Sequence, residues 1–102
     1  MEIEIKEINS VITVALKGRM DTPASQEVVP EMTALQDKAD KTIVLDCSEL
    51  TYISSSGLRI FLSLRKAAAV KGGEVIIRNI NDDIRSVFMM TGFLNLFEIE
   101  NA

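Results

Sequence analysis

The chain contains no histidine and only one cysteine. Histidine is the commonest general base near neutral pH and a leading zinc and non-haem iron ligand. Its absence therefore excludes the many enzymes that use a histidine base or a histidine-bound metal. We therefore predict no enzymatic activity, no metal site and no cofactor. The single cysteine, Cys47, excludes a disulfide within the chain, which suits a reducing cytoplasm.

Long apolar runs and basic clusters are also missing. No apolar stretch approaches the ~20 residues that cross a bilayer, and the start "MEIEIKEI" lacks the features of a signal peptide. Eleven basic residues are scattered among fifteen acidic ones, for a net charge of −4. Because phosphate neutralisation needs a basic patch, a nucleic-acid partner is disfavoured. We expect a cytoplasmic protein without membrane insertion.

The residues that are present fit one soluble globular domain over residues 1–102, with 47% hydrophobic and 25% charged residues. Residues 2–8 and 10–17 alternate apolar with polar positions, as half-buried strands do. Asn9-Ser10 between them predicts a tight turn, and hence an antiparallel hairpin.

A helix is predicted within "DTPASQEVVPEMTALQDKAD", which offers Asp21 and Thr22 as N-cap candidates and Pro23 for the first helical position. Pro30 should kink this helix, because proline removes one backbone hydrogen bond. The apolar run in "KTIVLDCSEL" then predicts a buried strand at 41–46.

The rest of the chain predicts a helix over 56–71 that stops at a double glycine, and a strand over "EVIIRNI". Asn81 should cap a third helix that carries Asp82 and Asp83 in its first turn and ends at Gly92. "LNLFEIE" supplies a last strand. The order β-β-α-β-α-β-α-β predicts an α/β fold: a mixed, mostly parallel sheet with an N-terminal hairpin and helices packed on it.

Three consecutive serines in "LTYISSSGLRIFL" lie between the 41–46 strand and the 56–71 helix. Open α/β sheets bind ligands at this position, and a helix N-terminus favours an anion. One serine is enough to cap the helix, so Ser54, Ser55 and Ser56 either serve only as a cap or include a hydroxyl that is modified.

Catalytic interpretations of this turn fail. A nucleophile elbow needs glycine where Ile53 stands, and a phosphate-binding loop needs a second glycine and a lysine. The following helix carries more than one apolar face, so it is either widely buried or partly exposed for a protein partner. Since a phosphate trapped in a closing interface costs several kcal/mol, a phosphoserine here would act as a switch.

The stretch "VLDCSELTYISSSGLRIFLSLRKAAAVKGGEVIIRNINDDIRSVFMMTGF", together with "GRMDTPAS", resembles the STAS domain of bacterial anti-sigma factor antagonists. The resemblance implies a module that, unphosphorylated, sequesters an anti-sigma factor serine kinase and so frees a sigma factor, and that a PP2C-type phosphatase resets. It implies Ser55 as phosphoacceptor, with Ser54 and Ser56 as alternatives. The partner-binding residues that it suggests are Asp21, Ser54, Ser56, Gly57, Leu58, Arg59 and Leu62.

Two positions depart from the family pattern. Ser54 stands where the family usually has aspartate, and Arg59 stands where it often has a small residue. Arg59 lies one helical turn after Ser55, so it either pairs with a phosphate there or is a solvated arginine. The alternative function is an unphosphorylated STAS subunit of a stressosome-like or ABC-type lipid transport complex, and a third class is a small-molecule-binding module.

Overall fold

A computed structural model describes residues 1–100 of the chain. Its regular elements, in chain order, are β1 (Glu2–Ile8), β2 (Val11–Met20), α1 (Thr22–Glu27), α2 (Val29–Gln36), β3 (Thr42–Ile53), α3 (Ser55–Lys71), β4 (Glu74–Arg78), α4 (Asp82–Thr91), a 3-10 helix (Phe93–Asn95) and β5 (Glu98–Glu100).

The five strands form one sheet in the order β1-β2-β3-β4-β5. β1 and β2 are antiparallel, and the other neighbouring pairs are parallel. The hairpin turns at Asn9 and Ser10, whose φ angles of 51° and 66° suit a tight turn that matches the strand twist. The predicted α/β class, with a hairpin at one edge of a mostly parallel sheet, is confirmed.

The hydrophobic core lies between one face of the sheet and the helices. Ile12, Val14 and Leu16 alternate along β2 and are buried in it, together with Phe61 of α3 and Phe88 of α4. The two phenylalanine rings pack edge to face with centroids 6.4 Å apart. The core thus fixes α3, and with it the serine turn, against the sheet.

The region after β2 contains two short helices where the sequence predicts one kinked helix. α1 ends at Glu27 and α2 begins at Val29, with Val28 between them. Pro30 lies in the first turn of α2, where the N–H that proline lacks has no intrahelical partner anyway. The proline therefore begins a new helix instead of bending an existing one.

Both central strands are longer than predicted. β2 continues beyond residue 17 to Met20, and β3 continues beyond residue 46 to Ile53, with Met20 opposite Ile53. The pairing shifts register twice between these strands, and β3 shows no regular alternation of buried and exposed positions after Cys47. A period-two pattern cannot detect a strand beyond such an irregularity.

The predicted strand over 94–100 is shortened to β5, Glu98–Glu100, because the chain first forms the 3-10 helix. That helix brings Phe93 within 5.8 Å of Phe88, centroid to centroid, and Phe97 follows at 6.4 Å. Aromatic packing therefore outweighs strand propensity here. Over residues 1–100, no helix is long and apolar enough to span a bilayer.

Candidate functional site

Ser54 is the N-cap of α3. Its Oγ accepts a hydrogen bond from the backbone N–H of Gly57 at 3.1 Å, and its backbone N–H donates to the carbonyl of Met20 at 2.9 Å. The first bond satisfies a helix N–H that lacks an intrahelical acceptor, and the second ties the turn to the end of β2. With only 8% of its surface exposed, Ser54 has a structural position.

A second buried serine, Ser25, connects this cap to α1. Its Oγ donates to the backbone carbonyl of Asp21 at 2.7 Å and lies 3.4 Å from the Oγ of Ser54. Since the Ser25 proton is used toward Asp21, the Ser54 hydroxyl donates to Ser25 while it accepts from Gly57. Asp21 in turn caps α1 through its carboxylate, which accepts from the N–H of Ala24 at 2.9 Å.

Asp21, Ser25 and Ser54 thus form one network that joins the starts of two helices. Ser25 was not among the residues predicted from the sequence. A serine four residues after a cap aspartate, on the buried side of a helix, was the available signal, because such a hydroxyl commonly bonds the carbonyl one turn back.

Ser55 and Ser56 occupy the first two positions of α3. Ser55 is exposed and Ser56 is half-buried. Within residues 1–100 the Ser55 hydroxyl has no hydrogen-bond partner. Helix geometry also gives the backbone N–H groups of these two residues no intrahelical acceptor. The exposed hydroxyl therefore stands beside free donors and the positive end of the helix dipole.

Gly57 provides the close approach between α3 and the strand ends. A Cβ at this position would lie 2.8 Å from Cγ1 of Ile53 and 3.1 Å from Cγ and Sδ of Met20. Any larger residue would push the first turn of α3 away from the sheet, and with it Ser54 and Ser55. The glycine is thus needed for packing, since its backbone is helical.

The other predicted partner-binding residues divide between two environments. Leu58 is 7% exposed and belongs to the core, so its side chain is not available to a partner in this conformation. Arg59 is exposed and Leu62 is half-buried. Spacings of four and seven residues place both on the Ser55 side of α3. Among the described residues Arg59 makes no ion pair.

Arg19 and Tyr52 form a further exposed pair beside the serine turn. They are opposite each other on β2 and β3, and the guanidinium carbon of Arg19 lies 4.5 Å from the centre of the Tyr52 ring. A cation over an aromatic face at this distance is an attractive contact. The pair was not predicted from the sequence, because both residues lie in the parts of β2 and β3 beyond the predicted strand ends at residues 17 and 46.

Cys47 has no place in this chemistry. Its side chain is fully buried in the core, and burial, followed by the charge of Asp46, raises the pKa of the thiol to about 12. The thiol therefore stays protonated and unreactive at neutral pH. Over residues 1–100, no group of three or more cysteine, aspartate or glutamate side chains is placed to hold a metal ion.

Comparison with known proteins shows the family and the fold of the chain. The family model of the STAS domain matches residues 2–102, so the chain belongs to the STAS domain family. BtrV of Bordetella bronchiseptica, provisionally named an anti-sigma factor antagonist, is 30% identical over 100% of this chain and 88% of its own length. The anti-sigma F factor antagonist of Paenibacillus polymyxa is 30% identical over 97% of this chain and 86% of its own.

A solved structure shares the fold. The Bacillus cell fate determinant SpoIIAA, in its phosphorylated form, superimposes with a TM-score of 0.77 over 99% of this chain and 91% of its own length, at 19% identity. The predicted STAS resemblance is thereby confirmed over essentially the whole chain.

Proposed function

We propose that this protein is an anti-sigma factor antagonist whose binding is switched by phosphorylation of Ser55. The names of its relatives support the first part. The second rests on one observation: Ser54 is used as a buried helix cap, whereas Ser55 next to it presents an exposed hydroxyl with no partner among the described residues. A kinase can reach Ser55 without dismantling the cap.

A phosphate on Ser55 would be compatible with the fold. It adds a charge of about −1.5 to −2 at a helix N-terminus, where an anion stabilises a protein by about 0.3–1 kcal/mol. The free N–H groups of Ser55 and Ser56 are donors for it, and Arg59 lies one turn along the same side. SpoIIAA, which shares the fold, has been solved in a phosphorylated form.

The same phosphate would oppose docking of a partner. In the proposed complex an anti-sigma factor serine kinase covers Ser55, with Asp21, Ser56, Arg59 and Leu62 around it. Enclosing the phosphate removes the water around it, a desolvation cost of several kcal/mol that the N–H groups and Arg59 offset only in part, and each ~1.4 kcal/mol is tenfold in affinity. We therefore expect at least ~100-fold weaker binding after phosphorylation, which a PP2C-type phosphatase would reverse.

Serine in place of the family aspartate at position 54 is compatible with this mechanism. The position supplies a side-chain oxygen to the N–H of Gly57, and serine and aspartate are comparably good N-caps. The substitution removes a negative charge next to Ser55 but retains the cap that sets the geometry of the turn.

The test combines phosphorylation with binding. Incubation with the anti-sigma factor kinase from the same organism and ATP, followed by mass spectrometry, should place phosphate on Ser55 and leave Ser55→Ala unmodified. Ser55→Asp should bind the kinase at least ~100-fold more weakly. The matched control is Ser86→Asp, an exposed serine on α4, which should bind within about twofold of wild type.

Phosphate on another serine, or wild-type affinity of Ser55→Asp, would contradict the switch. Kinase binding that is unaffected by ATP and by Ser55→Asp would instead favour an unphosphorylated STAS subunit.

A further inference from the structure

β1 is a long strand at the edge of the sheet. Within residues 1–100 it pairs with β2 on one side only, over the full length from Glu2 to Ile8, while the opposite edge is the much shorter β5. Two of its apolar side chains, Ile5 and Ile8, are 44% and 68% exposed. An edge of this length presents unpaired backbone N–H and C=O groups that another strand can bind.

We propose that β1 pairs antiparallel with β1 of a second copy of this chain, which joins two five-stranded sheets into one. The two-fold axis that relates antiparallel edge strands is perpendicular to the sheet, so the helices of both copies lie on the same side. Residues that face each other across the seam must then come from the same face of β1. Two facing residues therefore both have odd numbers or both have even numbers, which limits the permitted registers.

The charges on β1 select one of the permitted registers. When Ile5 faces Ile5 of the second copy, Glu4 faces Lys6 and Lys6 faces Glu4, giving two symmetric pairs of opposite charge. Glu4 also lies 3.2 Å from Lys17 of its own chain, so it would be shared between two lysines. In the two neighbouring permitted registers the two-fold axis passes beside residue 4 or residue 6 instead of Ile5. Glu4 then lies opposite Glu4, or Lys6 opposite Lys6, and like charges directly opposite are destabilising. The Ile5-centred register also uses all of Glu2–Ile8.

The helix side of the same seam is apolar around Ile5 and charged at its margins, where Glu31 and Lys38 line the groove beside Ile5. Ile5 lies opposite buried Val14 on β2 and lines a groove with Ala34 and Leu35 of α2. In the Ile5-centred register the two Ile5 side chains meet at the axis, each beside this groove. Glu7 lies on the same face, and its carboxylate is 2.7 Å from the ammonium group of Lys41. Its negative charge is therefore already balanced within its own chain.

The area involved is that of one strand pair and a few side chains. Interfaces at the low end of the size range are transient, so we expect a dimer that dissociates in the micromolar to millimolar range, from about 10⁻⁶ to 10⁻³ M. β1 lies at the sheet edge and the serine turn lies at the carboxyl end of the central strand β3, so dimerisation leaves Ser55 accessible.

Charge exchange tests the register. In analytical ultracentrifugation over a wide concentration range, the wild type should show a reversible monomer–dimer equilibrium. Glu4→Lys and Lys6→Glu should each weaken it at least about tenfold, and the double variant should restore most of the loss, because the pairs reform with signs exchanged. Glu98→Lys, on the other edge strand, is the matched control and should leave the equilibrium unchanged.

Cross-linking tests the seam independently. Ile5→Cys should form a disulfide-linked dimer under mild oxidation, because directly opposite Cβ atoms lie about 4.5–5.5 Å apart. Ile3→Cys, which this register places opposite Glu7, should not, and buried Cys47 will not compete. A wild type that is monomeric up to about 1 mM, a double variant that fails to recover, or equal cross-linking at both positions would overturn the proposal.

Discussion

The two ends of α3 both depend on glycine but differ in what limits them. At the start, a Cβ on Gly57 would meet side-chain atoms of Ile53 and Met20, and at the end a Cβ on Gly73 would collide with the backbone carbonyls of Ala39 and Lys41. Side chains can move aside at some cost, whereas backbone fixed in a turn cannot. The end of α3 is therefore set by packing around Gly73 and by the left-handed backbone of Gly72, while the start also carries an exposed hydroxyl without a partner among the described residues, at which regulation is proposed.

The largest expected loss of stability comes from a substitution at the carboxyl end of α3. Gly73→Ala should lower the free energy of unfolding by about 3 kcal/mol, because the new methyl group displaces the backbone before β3. Gly72→Ala is the matched control: Gly72 has a φ of +83° but open space around it, so only about 1 kcal/mol is at stake. Urea denaturation measures both, and equal costs would contradict the distinction.

The sequence was sufficient to predict where α3 ends, but not that a side chain at position 73 would collide with backbone carbonyls. A double glycine after an apolar periodic stretch indicates a helix end from local residues alone. The contact of Gly73 with Ala39 and Lys41 joins segments distant in sequence, so no local pattern contains it. The order of strands and helices along the chain was likewise predicted from local patterns, whereas the order of the strands across the sheet and the break at Val28 were not.

A smaller effect separates the serines at the amino end. Ser54→Ala should lower the free energy of unfolding by about 1–2 kcal/mol, because it removes the cap on Gly57 and leaves the buried Ser25 hydroxyl without its donor. Ser55→Ala should change it by less than about 0.5 kcal/mol, since that side chain is exposed. Thermal or urea unfolding of the two variants in parallel measures the difference, and equal losses would show that the cap is not where the geometry places it.

The sequence placed the serine turn between a strand and a helix but could not assign the cap by itself. Three consecutive serines are equally good capping residues, and the choice depends on where β3 ends. The register shifts in β3 hid its last seven residues from a period-two reading, so the pairing of Met20 with Ile53, which buries Ser54, was not predicted. The selection of Ser55 came from the family resemblance, and its exposure is an independent reason for the same choice.

The smallest expected effect on stability is a gain, and it comes from a substitution at the start of α3. Ser55→Asp should raise the free energy of unfolding slightly, by up to about 1 kcal/mol, because it adds a negative charge at the start of α3, and high salt should remove the gain. Ser63→Asp adds the same negative charge in the middle of α3, away from the helix N-terminus, and should give no such gain. Urea denaturation at low and high ionic strength makes the comparison. A destabilised Ser55→Asp would mean that the turn does not tolerate charge, and its loss of kinase binding would then reflect unfolding of the turn instead of repulsion within an interface.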